Sequence, residues 1–103
     1  AISREEAFGP IIVLETFKEE GEVIERSNNT AYGLGAYVYT RNLSRAWHLA
    51  EALEVGIVGI NDPFPATVEG PFGGVKQSGF GLEGGKYGVE AFLVKKQVSF
   101  QIS

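Results

Sequence analysis

The sequence contains no cysteine and no methionine, and its one histidine is His48. Without cysteine these residues form no disulfide, hold no thiolate-bound metal and supply no thiol nucleophile. A single histidine cannot build a histidine-rich metal site by itself. Disulfide scaffolds, cysteine-ligated metal proteins and self-sufficient thiol enzymes are therefore excluded for these 103 residues.

Blocks of positive charge and long apolar runs are also missing. Nine Lys and Arg stand against thirteen Asp and Glu, and no basic cluster is available for nucleic acid or anionic lipid. No apolar stretch approaches about 18 residues, and the opening AISREEAFGP lacks the basic and then apolar layout of a signal peptide. We expect a cytoplasmic protein, one domain or a piece of one, that binds neither nucleic acid nor membrane.

The first 61 residues have the pattern of an α/β protein. IIVLETF is an unbroken apolar run typical of a strand buried on both faces. LSRAWHLAEAL repeats its apolar residues at helical spacing, and Asn42 before it is a good helix cap. The predicted order is strand, helix, strand, helix and strand, over residues 11–17, 18–29, 35–40, 43–53 and 56–61. Such an order predicts a parallel sheet with crossover connections.

The second half has a different composition. Residues 62–82 carry three prolines and five glycines, which predicts a long loop of the kind that is often functional. LEGGKYGVEAFL then predicts a short helix weakened by glycine. The tail, residues 94–102, alternates apolar and polar residues and predicts a half-buried edge strand.

Gly79-x-Gly81-x-x-Gly84 matches the spacing of the dinucleotide-binding fingerprint. The fingerprint needs a buried strand before it and an acid about 20 residues beyond it, and both are missing here. The phosphate-binding loop pattern also fails, because Tyr87 stands where Ser or Thr is required. We interpret these glycines as residues that allow positive φ and close backbone approach.

Four sequence blocks stand out in a fixed order. They are EEAFGP (5–10), SNNTAYGLGAYVYTRN (27–42), VGIN (58–61) and PFGGVKQSGFG (71–81). In this order and at these distances they resemble the C-terminal part of the NAD(P)-dependent aldehyde dehydrogenase superfamily, with some likeness to semialdehyde dehydrogenases. The resemblance implies that residues 1–92 are a piece of the catalytic domain and residues 93–103 an oligomerisation strand.

The resemblance also implies roles for individual residues. Glu6 would accept hydrogen bonds from the nicotinamide ribose of NAD or NADP, and Phe8 would lie beside the nicotinamide ring. Phe72 would line the aldehyde entrance. Secondary candidates for the substrate pocket are Phe64, Thr67 and Val68. The alternatives are a solvated surface acid at Glu6 and plain packing for Phe8 and Phe72.

Four other side chains have simpler expected roles. Lys76 and Ser78 are expected to hold the glycine-rich loop in place. Trp47 is expected to anchor the core, and His48 to point into solvent from the same helix.

The absence of cysteine is the main departure from the family. Its reaction begins with attack of a cysteine thiolate on the aldehyde and ends with hydrolysis of a thioester, with a glutamate as base. The resemblance thus implies that nucleophile, base and nucleotide-binding domain lie upstream, and that this chain alone is inactive. Residues 94–102 would pair with another subunit of a homo-oligomer. The alternative is a free-standing interaction module that pairs with full-length subunits through this strand.

Overall fold

The computed structural model describes residues 5–102, which form three helices and four short strands. In chain order these are α1 (Glu20–Asn28), β1 (Tyr32–Gly33), β2 (Gly35–Val38), α2 (Leu43–Ala52), β3 (Ile57–Ile60), β4 (Val75–Lys76) and α3 (Gly85–Glu90). The α/β class predicted from the sequence is confirmed.

The centre of the structure is the unit formed by β2, α2 and β3. The two strands pair in parallel, from Gly35 opposite Ile57 to Val38 opposite Ile60. The helix α2 is the crossover that parallel pairing requires. It begins where predicted, because the Asn42 side chain accepts a hydrogen bond from the Arg45 N–H at 3.0 Å.

The helix α2 buries only part of the predicted apolar face. Of the residues that recur at helical spacing, Leu43, Ala46, Trp47, Ala50 and Leu53, only Ala46 is buried, at 7% exposure, and Leu49 outside that set is buried as well, at 8%. Trp47 is 65% exposed, so its predicted role as a core anchor is wrong for this structure. Trp47 lies beside Ala46, Ala50 and Ile60 at the wall of an open cavity, and no segment among residues 5–102 packs over the rest of its ring. His48 is exposed, as predicted.

A second, antiparallel ladder joins β1, between α1 and β2, to β4, which lies within the segment predicted to be a loop. Tyr32 pairs with Lys76 and Gly33 with Val75. Each strand has two residues, which is too short to produce an alternating pattern in the sequence. The ladder is extended by a hydrogen bond from the Gly33 N–H to the Ser78 hydroxyl at 2.8 Å.

The ammonium of Lys76 connects three segments. Its Nζ donates to the carbonyls of Asn28 at 2.9 Å and Thr30 at 3.4 Å, and it pairs with the Glu54 carboxylate at 2.8 Å. Together with the Ser78 hydrogen bond, this confirms that both side chains hold the glycine-rich loop in place. The loop is thereby attached to the end of α1 and to the connection that leads into β3.

Two predicted strands are not formed among the described residues. Residues 11–17 and 94–102 carry no ladder, and Ile12, Leu14 and Val94 are 84%, 89% and 92% exposed. The predicted burial of the first segment on both faces is therefore wrong for this structure. A strand needs a neighbour to pair with, and residues 5–102 provide none for either segment. The predicted division at residues 92 and 93 stays a prediction, and its outer ends, Ala1–Arg4 and Ser103, lie outside the described residues.

The chain leaves much of its apolar surface uncovered. Its accessible surface is 9144 Å², whereas a compact protein of this mass exposes about 5,700 Å². Its radius of gyration is 18.6 Å, against about 13 Å for a compact domain of this length. This chain alone does not enclose a full core.

No helix between residues 5 and 102 is long and apolar enough to cross a bilayer. The cytoplasmic location stays a prediction.

Close backbone contact at Gly56 gives a test of this fold. A Cβ added there would collide with the carbonyl oxygen of Gly73 and lie 3.0 Å from the Cα of Gly74. We expect Gly56→Ala to destabilise the protein that carries this chain by about 1–3 kcal/mol, because backbone must move to admit the methyl group. Thermal unfolding measures the effect.

The matched control is Gly21→Ala in the exposed first turn of α1, where a Cβ would meet nothing within 4 Å. Alanine is the better helix former, so this variant is expected to keep or raise the melting temperature. Equal melting temperatures for the two variants would contradict the contact between residues 56 and 73.

Candidate functional site

Glu6 lies at the wall of an open cavity of about 710 Å³. The polar lining comes from the N-terminal segment, the end of α1 and the residues around the β1–β4 ladder. Its members include Glu5, Glu6, Ser27, Thr30, Tyr32, Gln77 and Ser78. Carboxylates accept hydrogen bonds only, while hydroxyl and amide groups both donate and accept. Such a lining suits a ligand rich in hydroxyl groups.

Phe8 is two residues beyond Glu6 and does not line that cavity. Its side chain is 94% exposed, so its ring faces are free to meet a planar partner. The structure therefore presents a carboxylate with two acceptor oxygens and, close in sequence, an uncovered aromatic ring. These two residues fit one wall of a nicotinamide nucleotide site, and their predicted roles stay predictions.

Residues 62–70, named here the 62–70 loop, follow directly after β3. The Asp62 carboxylate accepts a hydrogen bond from the Phe64 N–H at 2.9 Å, and the Thr67 hydroxyl accepts one from the Gly70 N–H at 3.1 Å. Short side chains that bond to nearby backbone in this way give a loop a defined shape. Phe64 and Val68 are each 84% exposed on it, whereas the Thr67 hydroxyl is used to shape the loop.

The 62–70 loop begins at the carboxyl edge of the parallel sheet. Asn61 has a positive φ of 52°, and its side chain bonds to both the N–H and the carbonyl of Thr40 at 2.9 Å. In open α/β sheets, ligands bind beyond the carboxyl ends of the strands. Asn61 was missed as a site residue from the sequence. The available signal was an asparagine between an apolar strand and the turn-forming pair Asp62-Pro63.

The far end of the loop rests on the glycine motif. The Gly85 N–H donates to the Val68 carbonyl at 2.7 Å. A Cβ on Gly84, whose φ is 76°, would collide with the carbonyl oxygen of Gly70. The last glycine of the fingerprint spacing thus admits a neighbouring backbone segment instead of a phosphate. This agrees with the interpretation from the sequence.

Phe72 lies just beyond the loop and is held by its main chain. It exchanges two hydrogen bonds of 2.7 Å with Glu83, as an isolated antiparallel bridge. The side chain is 39% exposed, so it is partly packed and partly open. The candidates therefore form two groups, one around the Glu6 cavity and one on residues 61–72.

This arrangement offers groups that bind and orient a ligand, and it supplies no thiol nucleophile. The 103 residues contain no cysteine. Within residues 5–102 no three His, Cys, Asp or Glu side chains are grouped to hold a metal ion. The chemistry that the geometry supports is placement of a nucleotide and of a small substrate.

Known proteins provide an independent comparison. Residues 1–98 match the model of the aldehyde dehydrogenase family. The chain is 48% identical over 102 residues to a glutarate-semialdehyde dehydrogenase of Pseudomonas putida, covering 99% of this chain and 21% of that protein. It is 52% identical over 92 residues to an NADP(+) succinate-semialdehyde dehydrogenase of Escherichia coli, covering 89% and 19%.

The structure has solved counterparts as well. Betaine aldehyde dehydrogenase from Staphylococcus aureus in complex with NAD+ superposes with a TM-score of 0.85 at 43% identity, over 88% of this chain and 18% of that one. The chain thus spans about one fifth of the length of the proteins it matches. Since the family model covers 98 of the 103 residues and the structures superpose at high identity, the chain belongs to the aldehyde dehydrogenase family.

Proposed function

We propose that these residues form the C-terminal part of an enzyme that oxidises an aldehyde to a carboxylic acid with NAD or NADP. The family match over residues 1–98 carries this proposal. The exposed surface of 9144 Å², well above that of a compact protein of this size, supports a piece that packs against further polypeptide. Because the chain has no cysteine, it is inactive by itself in this proposal.

The proposed division of labour follows from the residues present. NAD or NADP would supply the acceptor for the hydride that leaves the substrate. Glu6 would hold its ribose through two acceptor oxygens, and Phe8 would offer a flat surface against the nicotinamide. Phe72, Phe64 and Val68 shape the aldehyde entrance. The thiol nucleophile and the general base come from elsewhere in the enzyme.

For the substrate we propose a semialdehyde, an aldehyde with a carboxylate at its far end. The relatives at 48% and 52% identity are named for glutarate and succinate semialdehydes. The 62–70 loop carries Asp62 and Glu69 and has no Lys or Arg. A cation that pairs with the substrate carboxylate would therefore come from another part of the enzyme.

We also propose that residues 94–102 pair with another subunit of a homo-oligomer. The apolar side chains Val94, Val98, Phe100 and Ile102 share one side of the segment, which Lys96 interrupts, and are 62–94% exposed. An unpaired segment with this alternation is suited to join the edge of another sheet.

The first test compares the 103-residue chain with the complete protein that carries it. We expect the complete protein to reduce NAD or NADP when given a semialdehyde, and the isolated chain to show no turnover. An amide NMR spectrum of the isolated chain, with and without millimolar NAD, tests whether it folds by itself. Dispersed peaks that shift around Glu6 and Phe8 would contradict the proposed dependence on further polypeptide and favour the free-standing interaction module.

Glu6→Gln tests the cofactor role in the complete protein. The amide keeps the shape of the carboxylate but loses the charge that strengthens its hydrogen bonds to ribose hydroxyls. Charge-assisted bonds contribute about 1.5–3 kcal/mol, so the KM for NAD(P) is expected to rise by roughly 10- to 100-fold. The control is Glu51→Gln, an exposed acid on α2 that does not line this cavity, which should leave this KM unchanged. A cofactor KM that moves in neither variant would favour the surface-acid alternative.

Val98→Asp tests the oligomerisation strand. A carboxylate placed on the apolar side of an intersubunit strand is buried without a partner, so the oligomer is expected to dissociate. Sedimentation velocity on the complete protein measures this. Gln97→Asp puts the same charge on the polar side, and we expect the oligomer to persist. If both variants remain assembled, residues 94–102 do not form the contact.

A further inference from the structure

We propose that Asn61 is a positioning residue that fixes the 62–70 loop to the sheet and thereby sets the affinity for the aldehyde. The inference rests on the proposed function, because the loop shapes a substrate pocket only if the enzyme oxidises an aldehyde. It assigns no chemical step to Asn61. The side chain acts through the loop that follows it.

The Asn61 side chain adds two hydrogen bonds beyond the end of the parallel β2–β3 pairing. The backbone N–H of Asn61 donates to the Val38 carbonyl at 2.8 Å, at the end of the β2–β3 pairing. Beyond that point Oδ1 accepts from the Thr40 N–H and Nδ2 donates to the Thr40 carbonyl, both at 2.9 Å. A primary amide both donates and accepts, whereas a carboxylate only accepts. Asp in this place would therefore lose the hydrogen bond to the Thr40 carbonyl.

The backbone of Asn61 also sets the direction of the loop. Its φ of 52° lies in the left-handed region, where asparagine is among the better-tolerated residues after glycine. The chain turns back at once. A Cβ added to Gly59 would collide with the carbonyl oxygen of Asp62 and touch Pro65 at 3.4 Å. The start of the loop therefore lies against β3, and the bonds to Thr40 hold the residue where the chain reverses.

The loop is held differently at its two ends. At its far end the Val68 carbonyl accepts from the Gly85 N–H at 2.7 Å, and the backbone lies close to the glycine pair. At its near end the bonds between Asn61 and Thr40 tie the loop to the neighbouring strand. Phe64 lies closer in sequence to the near end, so loss of these bonds should move Phe64 more than the residues beside Gly85. The expected consequence is weaker aldehyde binding with little change in cofactor binding.

The chain contains a matched control in Asn28. Its Nδ2 donates to the Ala52 carbonyl at 2.8 Å, and its Oδ1 accepts from the Glu54 N–H at 2.9 Å. The residue type is the same as at Asn61, and so is the use of one donor and one acceptor toward the backbone, here toward two residues and not one. Asn28, however, acts just before the amino end of β3, whereas Asn61 acts at the carboxyl end, where the loop begins. A purely structural role predicts similar consequences for both.

The experiment compares Asn61→Gly, Asn61→Asp and Asn28→Ala in the complete protein. Glycine keeps the left-handed backbone accessible and removes both side-chain bonds. Asp keeps the acceptor for the Thr40 N–H and provides a second variant if the glycine form does not fold. For Asn61→Gly we expect the aldehyde KM to rise roughly tenfold, as two neutral hydrogen bonds would suggest, and for Asn61→Asp, which loses one of the two bonds, by a smaller factor. In both variants kcat and the cofactor KM should change less than the aldehyde KM.

Amide hydrogen exchange provides a readout independent of activity. Residues 62–70 should exchange faster in the Asn61 variants than in the unmodified protein. They should be unchanged in Asn28→Ala, whose aldehyde KM should also be unchanged even if its melting temperature falls.

Two results would overturn the inference. One is an equal rise of the aldehyde KM in the Asn61 and Asn28 variants. The other is unchanged exchange of residues 62–70 in the Asn61 variants. An unmodified protein without aldehyde oxidation would instead refute the proposed function, and the exchange measurement would still decide whether Asn61 positions the loop.

Discussion

Parallel pairing of β2 with β3 is the constraint on which the rest of the described structure depends. Parallel strands cannot be joined by a tight turn, so α2 must cross between them and packs Ala46 and Leu49 as it does so. The same pairing brings both carboxyl ends to one edge of the sheet. Thr40 and Asn61 meet there, and the 62–70 loop leaves from that point.

Hydrogen bonds from polar side chains to the backbone connect several segments of this structure. Asn28 joins the ends of α1 and α2, and Asn61 joins the ends of β2 and β3. Lys76 joins the glycine-rich loop to the end of α1 and to Glu54, which precedes β3. A neutral bond of this kind contributes only about 0.5–1.5 kcal/mol, and one from a charged donor such as Lys76 up to about 3 kcal/mol, which does not replace the burial of apolar side chains. Such bonds fix the relative placement of segments whose apolar surface stays exposed.

Polypeptide outside this chain would explain the exposed apolar surface, because the family members that it matches are about five times longer. Several apolar parts of the chain are of the kind that is usually buried, namely Trp47, residues 11–17 and the tail 94–102. No segment among residues 5–102 covers them. The same reasoning applies to the chemistry. In the proposed enzyme these residues hold a ribose and shape an entrance, while the thiol belongs to another part of the polypeptide.

The sequence by itself determined the central elements and the family, but not the strands expected at residues 11–17 and 94–102. Helical spacing and the Asn42 cap predicted α2, apolar runs predicted β2 and β3, and four ordered blocks predicted the relationship that the comparisons then showed. Tertiary structure alone decided the rest. The two-residue strands β1 and β4 exist only because residues distant in sequence meet, and the burial of Leu49 instead of Trp47 depends on where the sheet lies. The bonds of Asn61 to Thr40 join positions 21 residues apart. No local pattern encodes such contacts, because they arise from the parallel pairing and not from the residues beside them.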